Sequence, residues 1–65
     1  MEMLEIDLKK IPTKIGVYLF KNKKEGILYV GKAINLRERI KNHLKSTNPK
    51  IVELIKSTDY LEYIV

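Results

Sequence analysis

The 65 residues carry 13 Lys/Arg against 8 Asp/Glu, a net charge of +5, with one histidine and no cysteine; this is one domain at most, at a size where a single core barely offsets chain entropy. Disulfide frameworks and Cys/His zinc sites are excluded, and a reducing cytoplasm is the natural setting. No apolar run approaches the roughly 20 residues that span a bilayer, and an N-terminus bearing Glu2, Glu5 and Asp7 lacks the basic-then-apolar order of an export signal, so a soluble cytoplasmic chain with no membrane partner is expected.

Leu4, Ile6, Leu8 and Ile11 match neither the helical nor the strand period, and Pro12 ends whatever they form. Residues 1–12 are therefore an N-terminal helix or arm, and the domain proper is expected over 13–65. Residues 15–20 and 27–30 are apolar at nearly every position, as in strands covered on both faces, and the polar stretch from Lys21 to Gly26 supplies the turn of an antiparallel hairpin. A register that leaves Lys23-Lys24 at the tip sets Tyr18 opposite Tyr29 and Phe20 opposite Ile27, with the two tyrosines on one face. A slip of one residue would separate them. Gly31, lacking a Cβ, lets the chain turn or lets a backbone or phosphate approach closely.

A helix is predicted from about 33–35 to 45. Ala33, Leu36, Ile40 and Leu44 form its apolar stripe, while Asn35, Arg39 and His43 form a second row about 60 to 100° away, at the boundary of core and solvent. Arg37, Lys41 and Lys45 lie on the other side, free to follow phosphates or to stay hydrated. Asn48-Pro49 reads as N-cap and first helical position of a second helix with Ile51, Val52 and Ile55 inward, ended by Ser57, Thr58 and Asp59. Residues 60–65 read as a third strand added to the hairpin. The predicted fold class is α+β, a small antiparallel three-stranded sheet flanked by helices, without repeats or linkers.

Between Lys9 and Lys50 stand twelve Lys/Arg and two acids, Glu25 and Glu38. Such a block attracts a polyanion through counterion release, although lysines more often only solvate turns and helix faces. Two phenols, a lysine and an arginine within some two dozen residues fit phosphodiester chemistry, which needs an activated water and cations for the developing charge. A phenol of pKa about 10 needs a neighbouring cation or metal to act as a base at neutral pH. Taken singly, each group has an ordinary structural explanation: strand tyrosines pack in cores, and helix arginines are solvated. Only the joint pattern favours chemistry.

Gly16-Val17-Tyr18, Tyr29-Val30-Gly31-Lys32-Ala33, Asn35-Leu36-Arg37 and Arg39 together resemble the GIY-YIG nuclease family, in the branch typified by the N-terminal domain of UvrC. The resemblance covers roughly residues 11–65. It implies Tyr29 as general base or partner of the attacking water, Arg39 as stabiliser of charge on the scissile phosphate, Tyr18 as a second active-site phenol and His43 as a hydrogen-bonding or proton-transfer group. Lys32 and Gly31 would meet phosphate, with Arg37 and Lys41 as further DNA contacts, whereas Asn35 would serve local structure. It implies Mg2+ or Mn2+ in the complete domain, held by a glutamate on a helix beyond the third strand. None of Glu25, Glu38, Glu53 or Glu62 corresponds to it, so the domain is expected to be incomplete at its C-terminus and this chain has no metal ligand of its own. The implied activity is 3′ incision in nucleotide excision repair, with DNA and UvrA/UvrB-type damage-recognition subunits as partners. The isolated chain is expected to bind DNA weakly without cutting it. A non-catalytic DNA-binding fragment and a small protein-interaction module are the alternatives, and the third strand is an exposed edge prone to association.

Overall fold

A computed structural model of the chain describes residues 6–65; Leu4, assigned above to the N-terminal segment, lies outside the described residues. That segment contributes a short 3-10 turn, Leu8–Lys10, whose first N–H groups are met by Asp7 as its side chain accepts from Lys9 N at 3.0 Å. Ile11 follows and is buried to 3 % exposure, anchoring the segment in the core before Pro12 turns the chain away.

Five elements succeed it: β1 (Gly16–Asn22), β2 (Gly26–Ala33), α1 (Leu36–Lys45), α2 (Pro49–Ser57) and β3 (Tyr60–Ile64). The sheet order is β2-β1-β3, antiparallel throughout, so the third strand joins the free side of β1. The β1–β2 turn is closed by Asn22, whose Oδ1 accepts from the N–H groups of Lys24 and Glu25, and by Gly26, whose φ of 82° lies where a side chain is strained.

Three strand expectations are corrected. Tyr18 pairs with Gly31 and Phe20 with Tyr29, two residues away from the expected register: one residue comes from the turn, where Asn22 pairs with Gly26 across a three-residue loop, and one from a bulge, where Lys21 pairs with Ile27 and leaves Leu28 as the extra residue. The shift is even, so Tyr18 and Tyr29 keep a common face. The strands are not covered on both faces among the described residues: Tyr18 and Phe20 are fully buried toward the helices, while on the other face Ile27, Val30 and Ile64 stay exposed. Ala33, assigned above to the helical stripe, closes β2 instead.

Each helix starts where its cap dictates. Asn35 caps α1 by accepting from Glu38 N at 3.1 Å, and Asn48 caps α2 by accepting from Lys50 N at 2.9 Å, with Pro49 in the first turn. The core unites Ile11, Tyr18, Phe20, Leu36, Ile40 and Ile55, one layer of sheet against one layer of helices. The exit from α2 is tied down as well: Thr58 Oγ1 donates to Leu54 O at 2.7 Å, and Asp59 Oδ2 accepts from Lys23 N at 2.7 Å, joining the start of β3 to the hairpin tip.

Candidate active site

Alternation along β1 sends Tyr18 and Phe20 to the helix face, Tyr29 joins them from β2, and the i, i+7 relation of Leu36 to His43 brings the imidazole over them from α1. All four rings touch one another. Their centroids lie 5.4 to 6.3 Å apart, with edge-to-face geometry for Tyr18–Phe20, Phe20–His43 and Tyr29–His43. Tyr18 and Phe20 form the closed floor of the cluster, and Tyr29, 36 % exposed, forms its open rim.

Gly31 makes this arrangement possible. A Cβ at that position would overlap the ring and hydroxyl of Tyr18, so the absent side chain is the space the phenol occupies. The Tyr18 hydroxyl and His43 Nε2 share a hydrogen bond of 2.7 Å. Burial pushes the Tyr18 phenol above its ordinary pKa, opposed by the Arg39 guanidinium beside it, with Tyr29 adding to the rise. Burial also lowers the His43 pKa, and the positive charge of Arg39 lowers it further. At neutral pH the pair is therefore an uncharged phenol against an uncharged imidazole, and the tyrosine donates when His43 carries its own proton on Nδ1. Arg39 holds its proton more firmly still beside Tyr18 and Tyr29. The fixed positive charge at this rim is a guanidinium.

Beyond Arg39 the surface opens into a cavity of about 420 Å³ lined by Lys32, Asn35, Glu38, Arg39 and Asn42, among others. Lys32 pairs with Val17 and so leaves the sheet on the face away from Tyr29, yet it sits near enough to the end of β2 to line this cavity. Arg37 is turned elsewhere, its Nε donating to Ile11 O at 2.8 Å and its Nη2 to Lys9 O at 3.1 Å. Lys41, four residues on, shares that side of α1, about 160° around the helix from Arg39. The structure thus groups Tyr18, Tyr29, Arg39 and His43 around Gly31, sets Lys32 beside the same opening, and leaves Arg37 and Lys41 on another flank. Phe20 was absent from the candidates although it touches all three other rings; its place two residues after Tyr18 in a strand was the available signal.

A divalent cation needs several convergent oxygen ligands. Among the described residues no three His, Cys, Asp or Glu side chains come together, and the carboxylate lining the cavity, Glu38, shares it with Lys32 and Arg39. The described residues do not compose a metal site.

A sequence profile for the UvrC-like GIY-YIG domain matches residues 14–65. The chain is 46 % identical over 61 residues to UvrABC system protein C of Alkaliphilus metalliredigens, covering 89 % of this chain and 10 % of that protein, and 40 % identical over 65 residues to its counterpart in Lachnospira eligens, covering 95 % and 11 %. It therefore spans about a tenth of the length of these curated relatives. Among solved structures, the GIY-YIG N-terminal endonuclease domain of UvrC from Thermotoga maritima, bound to its catalytic divalent cation magnesium, superposes with a TM-score of 0.81 at 36 % identity, covering 89 % of this chain and 64 % of that one.

Proposed function

The chain belongs to the UvrC-like GIY-YIG domain family, and from that premise we propose that it is the catalytic-face part of a DNA endonuclease domain that hydrolyses a phosphodiester bond. The observation that carries this reading is the ring cluster opening at Tyr29 directly beside a guanidinium and a cavity that Lys32 also lines. Arg39 is the group that meets a phosphate there and stabilises the charge gathering on it during displacement; preorganised donors of this kind are worth about 10² to 10³ in rate. Tyr29 holds the attacking water or takes its proton. Tyr18 and His43, neutral and hydrogen-bonded, fix the Tyr29 ring and the approach of Arg39 from below, and Lys32 raises the positive potential over the cavity.

The catalytic divalent cation of the Thermotoga maritima domain has no ligand cluster among the residues described for this chain. In this reading the isolated chain binds DNA without cutting it, and cleavage needs the remainder of the domain. The whole protein's role is 3′ incision in nucleotide excision repair in the cytoplasm, with damage-recognition partners of the UvrA and UvrB type.

The test joins this chain to the C-terminal remainder of the Thermotoga maritima domain and follows nicking of supercoiled plasmid in Mg2+. The chimera is expected to nick, and Tyr29→Phe and Arg39→Ala each to slow nicking at least about 100-fold at unchanged fold by circular dichroism. A folded chimera whose nicking is indifferent to both substitutions would sink the assignment.

A further inference from the structure

The cavity that holds Arg39 does not end there. A second cavity of about 190 Å³, lined by Arg39, Asn42, His43, Ser46 and Ile51, adjoins it, and Arg39 and Asn42 belong to both walls. At 100° per residue, Asn35, Asn42 and Ser46 fall within about 60° of Arg39 around the axis of α1, so one flank of the helix carries a guanidinium followed by an amide and a hydroxyl. The opposite flank, with Arg37, Lys41 and Lys45, carries three cations. Asn42 is exposed, and its side chain has no hydrogen-bond partner among the described residues. Ser46 Oγ accepts from Asn48 N at 3.1 Å, which leaves its own O–H free to donate outward.

Resting on the phosphodiester reading above, we propose that this flank is a binding groove for the DNA strand being cut, in which Asn42 and Ser46 donate hydrogen bonds to the phosphate neighbouring the one held by Arg39. The occupant is a phosphodiester backbone because the groove starts at Lys32 and Arg39, two cations against the single carboxylate of Glu38, and continues with the uncharged donors Asn42 and Ser46. The helical rise puts Asn42 about 4.5 Å and Ser46 about 10.5 Å along the axis from Arg39, so the donors succeed one another along a single backbone. Asn42 and Ser46 position the strand and take no part in bond breaking.

Neutral donors displace no condensed counterions, whereas an arginine does. Binding of the 65-residue chain to a short fluorescent duplex, followed by anisotropy across a salt series, separates the two. Asn42→Ala is expected to weaken binding about three- to tenfold with the slope of log K against log salt unchanged, Asn42→Gln to restore most of it, and Arg39→Ala to reduce the slope by about one. Asn42→Asp is expected to weaken binding far more than Thr13→Asp, which adds the same charge at an exposed position outside the groove. Nitrogen-proton NMR spectra report whether each variant keeps the fold. If Asn42→Ala and Asn42→Asp bind as well as the parent while Arg39→Ala loses affinity, the groove is refuted and the phosphodiester reading survives. If the parent shows no salt-sensitive binding at all, both fall together.

Discussion

Tyr18 fills the space that Gly31 leaves open and hydrogen-bonds His43, and single substitutions separate these roles. Gly31→Ala forces a methyl group into the Tyr18 ring and is expected to cost about 1–3 kcal/mol through strain, whereas Tyr18→Phe keeps the packing and leaves one half-buried imidazole nitrogen unpaired, at about 1 kcal/mol. Urea denaturation of the two variants checks the order. His43 also makes stability depend on pH. Burial and the charge of Arg39 lower its pKa in the fold below the value of about 6.5 that the unfolded chain has. Its full contribution is therefore present above that value and is lost as pH falls toward the folded pKa, where only the unfolded chain takes up the proton. The urea midpoint is expected to drop between pH 7 and pH 5 in the parent and to drop less in His43→Phe. The missing Cβ of Gly31 leaves room for the phenol of Tyr18 from the neighbouring strand, a contact that no reading of residue 31 and its sequence neighbours reveals.

The elements were the most legible level, because their determinants are local. Asn48-Pro49 starts α2 and Asn35 starts α1 through side-chain bonds that reach only two or three residues, and Gly26 ends the hairpin turn through its own φ. Asn48→Ala is accordingly expected to destabilise by about 1 kcal/mol in the same urea assay. Arg37 was less legible. A guanidinium on a helix flank reads as solvated or DNA-facing, yet here it binds the carbonyls of Lys9 and Ile11, residues remote in sequence. Arg37→Ala is expected to leave the Ile11 carbonyl without its donor, lower stability by about 1–3 kcal/mol, and speed hydrogen exchange in residues 6–12 ahead of the rest of the chain.

At the scale of the molecule, one sheet face is buried and the other carries Ile27, Val30 and Ile64 at 55, 53 and 65 % exposure. Near-continuous apolar strands predict two covered faces, and among the described residues the second cover is absent. With β2 and β3 both at sheet edges, this surface is expected to promote association of the isolated chain. Val30→Lys is expected to raise the concentration at which the chain remains monodisperse in light scattering, with little change in urea midpoint because the position is already half in solvent. The bulge at Leu28 belongs to this scale as well. Counting back from the turn tip misses the register by two residues, one because the loop between Asn22 and Gly26 holds three residues and one because the bulge interrupts the strand pair beyond it.

The order of strands and helices along the chain, the Asn48 cap and the polar turn were determined by the sequence alone, since each depends on composition or on bonds within a few residues. Tertiary structure decided the register, the filling of Gly31 by Tyr18, the four-ring contact that includes Phe20, and the turning of Arg37 toward the N-terminal segment. Each of those is a contact between residues far apart along the chain, fixed only when the sheet and helices compete for the same volume.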